Sequence, residues 1–237
     1  MKKILVFGIF LLVTVNVHAG ELSQYSGPYV GVYMGYAKGD FKGNETFTDS
    51  LGATQDVSVY NSSLSKYLWG GLVGYNKIVS GNYLLGFEAD YEQRNAQARV
   101  DFTDPATSVV NTMGQVETKI RGASSVRLRV GRIFNNDKTL AYFTVGYGMA
   151  NIKSNFLLNG AASVISKSDW NGGFTGGGGL EHFVNDSLSV RTEYRYSDYG
   201  KTNHLDIGTI DPGFIGMNEH TKYENEHSVR FGLMYHF

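Results

Sequence analysis

The chain has 237 residues, no cysteine, and 21 basic side chains against 22 acidic ones. With no thiol it can build neither a disulfide-stapled scaffold nor a thiolate metal site, and its near-balanced charge offers no polybasic footprint for nucleic acid. Thirty glycines and sixteen tyrosines against three prolines suit a closely packed β wall with aromatic rims, and the mildly negative mean hydropathy argues against a bundle of membrane helices.

In chain order, the first element predicted is a leader. Met1-Lys2-Lys3 is basic, Ile4 to Val15 is almost wholly apolar, and Val17-His18-Ala19 supplies small residues at cleavage spacing before Gly20. The apolar run is too short for a spanning helix, which needs ~20 residues, so residues 1–19 read as a secretory signal peptide. Without Lys2 and Lys3, 19 basic residues would face the 22 acidic ones. Residues 20–28 read as a short N-terminal segment and residues 29–237 as one domain.

Eight segments of that domain carry a period of two, the signature of half-buried strands. In the first, Val30, Val32, Met34 and Tyr36 alternate with Gly31, Tyr33 and Gly35; in the second, Tyr67, Trp69, Val73 and Tyr75 lie opposite Leu68, Gly70, Leu72 and Gly74. The third sets Tyr83, Leu85, Phe87, Ala89 and Tyr91 against Glu88, Asp90 and Glu92, and the fourth sets Val126, Leu128 and Val130 against Arg127, Arg129 and Gly131. The fifth places Phe143, Val145, Tyr147 and Met149 opposite Thr144, Gly146 and Gly148. The sixth, Trp170 to Val184, is too rich in glycine for its faces to be read, and Gly176 to Gly179 mark a place where neighbours need room. The seventh sets Leu188, Val190, Thr192, Tyr194 and Tyr196 against Ser189, Arg191, Glu193, Arg195 and Ser197. The eighth runs to the last residue, with Val229, Phe231, Leu233, Tyr235 and Phe237 opposite Arg230, Gly232, Met234 and His236.

The connections alternate in length. Short turns are expected at 78–82, 135–139 and 185–187, and long polar connections at 39–65, 95–118, 154–168 and 200–225. That pattern fits an all-β, up-and-down, eight-stranded antiparallel transmembrane barrel with both termini on the short-turn, periplasmic side. An arginine or lysine facing lipid near the bilayer midplane costs ~2–4 kcal/mol. The charged faces must therefore look inward: Arg127, Arg129, Arg191, Arg195 and Arg230 toward Glu88, Asp90, Glu92, Glu181 and Glu193. The bore of an eight-stranded barrel is just wide enough for side chains to fill. A lumen plugged by ion pairs follows. Tyr36, Tyr67, Trp69, Tyr75, Tyr83, Tyr91, Tyr147, Tyr194 and Tyr196 are the girdle candidates.

The string Leu188-Ser189-Val190-Arg191-Thr192-Glu193-Tyr194-Arg195-Tyr196-Ser197-Asp198-Tyr199-Gly200, preceded by Gly177-Gly178-Gly179-Leu180-Glu181, resembles the penultimate hairpin of the small outer-membrane β-barrel ("porin family") surface proteins of Gram-negative bacteria. Val73-Gly74-Tyr75-Asn76, Gly86-Phe87-Glu88-Ala89-Asp90, Val126-Arg127-Leu128-Arg129-Val130-Gly131 and Val229-Arg230-Phe231-Gly232-Leu233 extend the likeness to the whole of residues 29–237. The resemblance implies an OmpA-like barrel in the cell outer membrane without a peptidoglycan-binding domain. It also implies a structural or surface-interaction role, with lipids as neighbours and host or surface ligands met through the loops. The last strand would be read by the assembly machinery through Phe231, Leu233, Tyr235 and Phe237. Narrow solute conduction and heme or adhesion binding by the outer loops are the alternatives.

No catalytic, metal or cofactor site is expected. His227-Ser228 beside Glu226 suggests a hydrolase at first sight, but adjacent strand residues point to opposite faces and cannot form a nucleophile and base pair. His204, Asp206, Asp211, Glu219 and His220 share one long connection without a compact ligand spacing. The glycines of 172–179 lack the Lys-Ser/Thr of a phosphate-cradling loop. A soluble lipocalin-like barrel would keep the period of two and reverse the faces.

Overall fold

A computed structural model describes residues 24–49, 54–103, 110–134, 138–158, 165–200, 205–207 and 214–237. The predicted leader, most of the 135–139 turn, and His204 and Asp211 lie outside the described residues. The elements are β1 (Gly27–Asp49), β2 (Thr54–Ser80), β3 (Tyr83–Thr103), β4 (Val110–Phe134), β5 (Thr139–Leu158), β6 (Ile165–Phe183), β7 (Leu188–Asp198), β8 (Leu205–Ile207) and β9 (Phe214–His236). Strands β1 to β7 pair antiparallel with their sequence neighbours, β9 pairs with β7, and β9 also pairs with β1. The sheet thus closes into an eight-stranded barrel, and β8 is a three-residue addition to the upper part of β9. An even number of strands returns both termini to one end, where the Phe237 amide donates to the Pro28 carbonyl at 3.1 Å.

The period of two is the period of burial. Val32, Met34, Trp69, Phe87, Leu128, Phe143, Phe231 and Leu233 are exposed on the outer wall, while Leu68, Glu88, Arg127, Arg129, Thr144, Arg191 and Arg230 are buried inside it. In β6, Trp170, Phe174 and Leu180 face outward and Asn171, Thr175 and Glu181 inward. Glycine serves a packing need at Gly179, where a Cβ would come 2.6 Å from the Tyr142 hydroxyl oxygen.

The long connections differ from the expectation. Strands β1 and β2 stay paired from Gly39↔Leu64 to Thr48↔Thr54, and β3, β4, β5 and β9 likewise run on into stretches expected to be loops. The backbone ladder satisfies N–H and C=O groups whatever the side chains are, so it continues past the apolar belt. Periodicity could not show this, because a strand polar on both faces has no alternation to read. At the opposite end the turns are short, as expected: Gly81 adopts φ +51° between β2 and β3, and Asn185 Oδ1 accepts from the amides of Ser187 (3.0 Å) and Leu188 (2.8 Å).

Along the outer face of β4, Arg132 and Arg121 are exposed and bracket Val130, Leu128, Val126, Ser124 and Gly122. About eleven residues at ~3.3 Å each, tilted ~40°, span roughly 28 Å, the height of an outer-membrane barrel's apolar band. No outward Lys, Arg, Asp or Glu interrupts that band on the described strands.

Candidate functional site: the interior ion network

Inner-face residues of β3, β4, β6, β7 and β9 converge on the barrel axis. Arg127 holds Glu88 at 2.9 Å, Asp90 at 2.8 Å and Glu193 at 2.8 Å. Arg191 bridges Glu88 and Glu181, each at 2.8 Å, and Arg195 bridges Asp90 at 3.0 Å and Glu193 at 2.8 Å. Arg129 reaches Glu181 at 2.5 Å with its guanidinium 4.0 Å from the centre of the Tyr142 ring, and Arg230 reaches Glu92 at 3.0 Å. All ten charged residues predicted for the interior lie there and touch one another.

Hydroxyls complete the network. Tyr29 donates to Glu88 (2.6 Å), Tyr142 to Glu193 (2.9 Å), Ser125 to Asp90 (2.9 Å) and Ser189 to Glu181 (2.6 Å). Sequence reading missed these partners, and it missed Arg94 and Glu226, which pair with each other while Arg94 also pairs with Glu92. Arg94 continues the inner row Glu88, Asp90, Glu92. The signal was present, but the alternation of the third strand was read only as far as Glu92.

The interior thus holds six arginines and six carboxylates in two charge-matched sets of ion pairs among the described residues, Arg127, Arg129, Arg191 and Arg195 with Glu88, Asp90, Glu181 and Glu193, and Arg94 and Arg230 with Glu92 and Glu226. That balance matters energetically, because an unpaired buried ion costs several kcal/mol and a paired one far less. Apolar clusters flank the network, one of them, Tyr29, Tyr33, Ala37, Leu68, Leu72 and Met234, beside it on the inner faces of β1, β2 and β9. Ile120, Ala123, Ala150, Ile152 and Tyr199 close the upper side, and Tyr25, Leu84, Ile133, Leu140, Tyr142 and Phe183 the lower. Tyr25 precedes β1 and tucks beneath the wall, its hydroxyl 2.9 Å from the Lys138 carbonyl and 2.8 Å from that of Glu181. Burial, and then the Glu181 carboxylate, push its phenol far above the usual range, so it stays a donor.

The terminal apolar side chains Phe231, Leu233, Tyr235 and Phe237 stand exposed on the outer wall of the last strand. Of the competing chemistry, His227 is exposed and Ser228 buried, on opposite faces as expected. A different trio meets inside: His236 Nε2 lies 3.3 Å from Ser189 Oγ and 2.8 Å from Glu181 Oε1. Both contacts fall on one ring nitrogen, whereas a nucleophile relay needs the serine and the acid on different nitrogens. Asp206, Glu219 and His220 have described backbones only, with Glu219 paired to Leu205 and Asp206 to Asn218.

Comparison with known proteins adds an independent line. Residues 7–237 match the family described as outer membrane protein beta-barrel domain. The chain is 28% identical over 216 residues to the 31 kDa outer-membrane immunogenic protein of Brucella melitensis, covering 90% of this chain and 84% of that one. It is 30% identical over 183 residues to the 22 kDa outer membrane protein of Rhizobium leguminosarum, covering 76% and 72%. Among solved structures, the outer membrane protein OprG of Pseudomonas aeruginosa superimposes with a TM-score of 0.53 at 13% identity, over 90% of this chain and 97% of that one.

Proposed function

We propose that this chain, which belongs to the outer membrane protein beta-barrel family and resides in the outer membrane of a Gram-negative bacterium, is a closed-lumen surface protein whose work is done by its outer wall and its long hairpins. The observation that carries this reading is the charge-matched interior. Six arginines and six carboxylates occupy the interior among the described residues, flanked by apolar clusters, and the void among Tyr33, Arg191, Arg195 and Arg230 measures about 10 Å³. Such a void holds about one water, and on this reading the packed ion pairs leave solutes no continuous path.

The remaining parts of the reading follow from the same architecture. Residues 1–19 act as an export signal, the short turns and both termini face the periplasm, and the long β1–β2, β3–β4 and β5–β6 hairpins project outside. The alternating apolar row Phe231, Leu233, Tyr235 and Phe237 presents the last strand to the assembly machinery before it closes against β1. Immunogenic relatives in Brucella fit a protein displayed at the cell surface. Planar-bilayer recording tests the closed lumen: the purified protein should insert without stable unit conductance. Steady channel openings at neutral pH would replace this reading with that of a narrow porin.

A further inference from the structure

A groove of about 760 Å³ lies on the outer wall at the hairpin end of the apolar band, lined by Tyr67, Trp69, Tyr91, Arg121, Asn151 and Trp170 among others. It follows one row of the ladder: Trp69 pairs with Gln93, Gln93 with Gly122, Gly122 with Asn151 and Asn151 with Trp170. The row has a large indole at each end and small side chains in its middle, which is what hollows it. Within it, β4 carries a bulge. Ile120 pairs with Ile152 and Gly122 with Asn151, so Arg121 is the extra residue, exposed into the groove, and the missing side chain of Gly122 admits the Tyr91 ring, whose hydroxyl oxygen would lie 2.9 Å from a Cβ there.

Two features identify an occupant. The first is charge. Among the described residues Arg121 makes no side-chain hydrogen bond or ion pair and no carboxylate lines the groove, and Lys119 and Lys153 sit opposite each other two pairs beyond Gly122 and Asn151 on the β4–β5 ladder. Arg94, which also lines the groove, is held by Glu92 and Glu226, and Lys119 is engaged by Glu117 at 2.6 Å, which leaves Arg121 and Lys153 as the available cations. The second is depth. Below Arg121 the wall is the continuous apolar surface of Val126, Leu128, Val145, Tyr147 and Phe174, and above it the strands turn polar. An anion at Arg121 with hydrocarbon chains lying on that wall is a membrane lipid with a phosphorylated headgroup.

We propose that this groove is a binding site for a phosphorylated glycolipid of the outer leaflet, with its phosphate on Arg121 and its chains against β4, β5 and β6. The guanidinium fork matches phosphate oxygens, the aromatic residues pack at headgroup depth, and Lys153 offers a second positive charge. Only the choice of leaflet rests on the orientation proposed above; surface labelling tests that orientation separately, so the two can fail independently.

The chain's two tryptophans, Trp69 and Trp170, both line the groove, so intrinsic fluorescence reports on it directly. The protein, refolded in detergent, is titrated with bisphosphorylated lipid A, dephosphorylated lipid A, phosphatidylglycerol and inorganic phosphate. A saturable emission shift with the bisphosphorylated lipid alone is expected, weakened at least tenfold in Arg121→Gln and unchanged in Arg132→Gln at the opposite rim. Should Arg121→Gln fail to fold, as read by heat-dependent gel mobility, Lys153→Gln takes its place, with severalfold weakening expected. The proposal is overturned by an equal response to the dephosphorylated lipid, to phosphatidylglycerol or to inorganic phosphate, or by equal affinity in the folded variant and the parent.

Discussion

Replacing Arg127 by Met removes the cation that holds three carboxylates, and the structure sets the size of the effect. Breaking a buried ion pair from one side costs ~3–5 kcal/mol because an uncompensated charge is left behind. Three partners do not triple that figure here. Glu88 keeps Arg191 at 2.8 Å, Asp90 keeps Arg195 at 3.0 Å and the Ser125 hydroxyl at 2.9 Å, and Glu193 keeps Arg195 at 2.8 Å and the Tyr142 hydroxyl at 2.9 Å. The expected loss is therefore about 3 kcal/mol, the lower end of the range, or roughly a hundredfold in the folded-to-unfolded ratio. Arg127→Lys keeps the charge without the planar fork and should lose less. Urea unfolding in phospholipid vesicles, followed by tryptophan emission, measures both. If Arg127→Met unfolds within about 0.5 kcal/mol of the parent, the interior carboxylates are hydrated or neutral and the reasoning fails.

Three further outcomes follow from the same structure. Leu128→Arg places a charge near the middle of the outer apolar band and should cost ~2–4 kcal/mol by the same unfolding measurement, whereas Leu128→Phe should be tolerated. Gly81→Val forces a β-branched side chain into φ +51° and should destabilise the barrel by roughly 1–2 kcal/mol. In intact cells, a membrane-impermeant maleimide should label Thr54→Cys at the start of β2 and spare Ser187→Cys in the β6–β7 turn; the reverse pattern would invert the proposed orientation.

How much of this was legible in the sequence depends on where solvents differ. Along Val126 to Val130 the outer neighbour is lipid and the inner neighbour is another ion, so each position had to declare its side and could be read. The Glu88, Asp90, Glu92 row was legible for the same reason. Past the belt, at Gly39 to Ser65, the sequence is largely polar and offers no sustained alternation while the ladder persists from Gly39↔Leu64 to Thr48↔Thr54, so a paired hairpin passes for a loop. In β6 the glycines at 172–173 and 176–179 erased the pattern, and Trp170, Phe174 and Leu180 are the large apolar side chains that mark the outer face among the described residues. Arg121 was hidden by its bulge, because one extra residue shifts the parity of β4 and no count by two places it on the outer wall. The particular pairings inside were illegible for a different reason. Six arginines and six carboxylates admit many matchings, and the register of β3, β4, β7 and β9 selects among them.

The account turns on the outer wall being apolar and lipid-facing while the inner wall is ionic and packed. Because the chain has no cysteine, a single nitroxide can be attached at each position from 125 to 131 of β4 without removing a native thiol. In phospholipid bilayers, collision with dissolved oxygen should peak at positions 126, 128 and 130 and fall at 125, 127, 129 and 131, with little access to a water-soluble nickel chelate at any of them. High nickel-chelate access at 126, 128 and 130, or a profile without the period of two, would contradict the account.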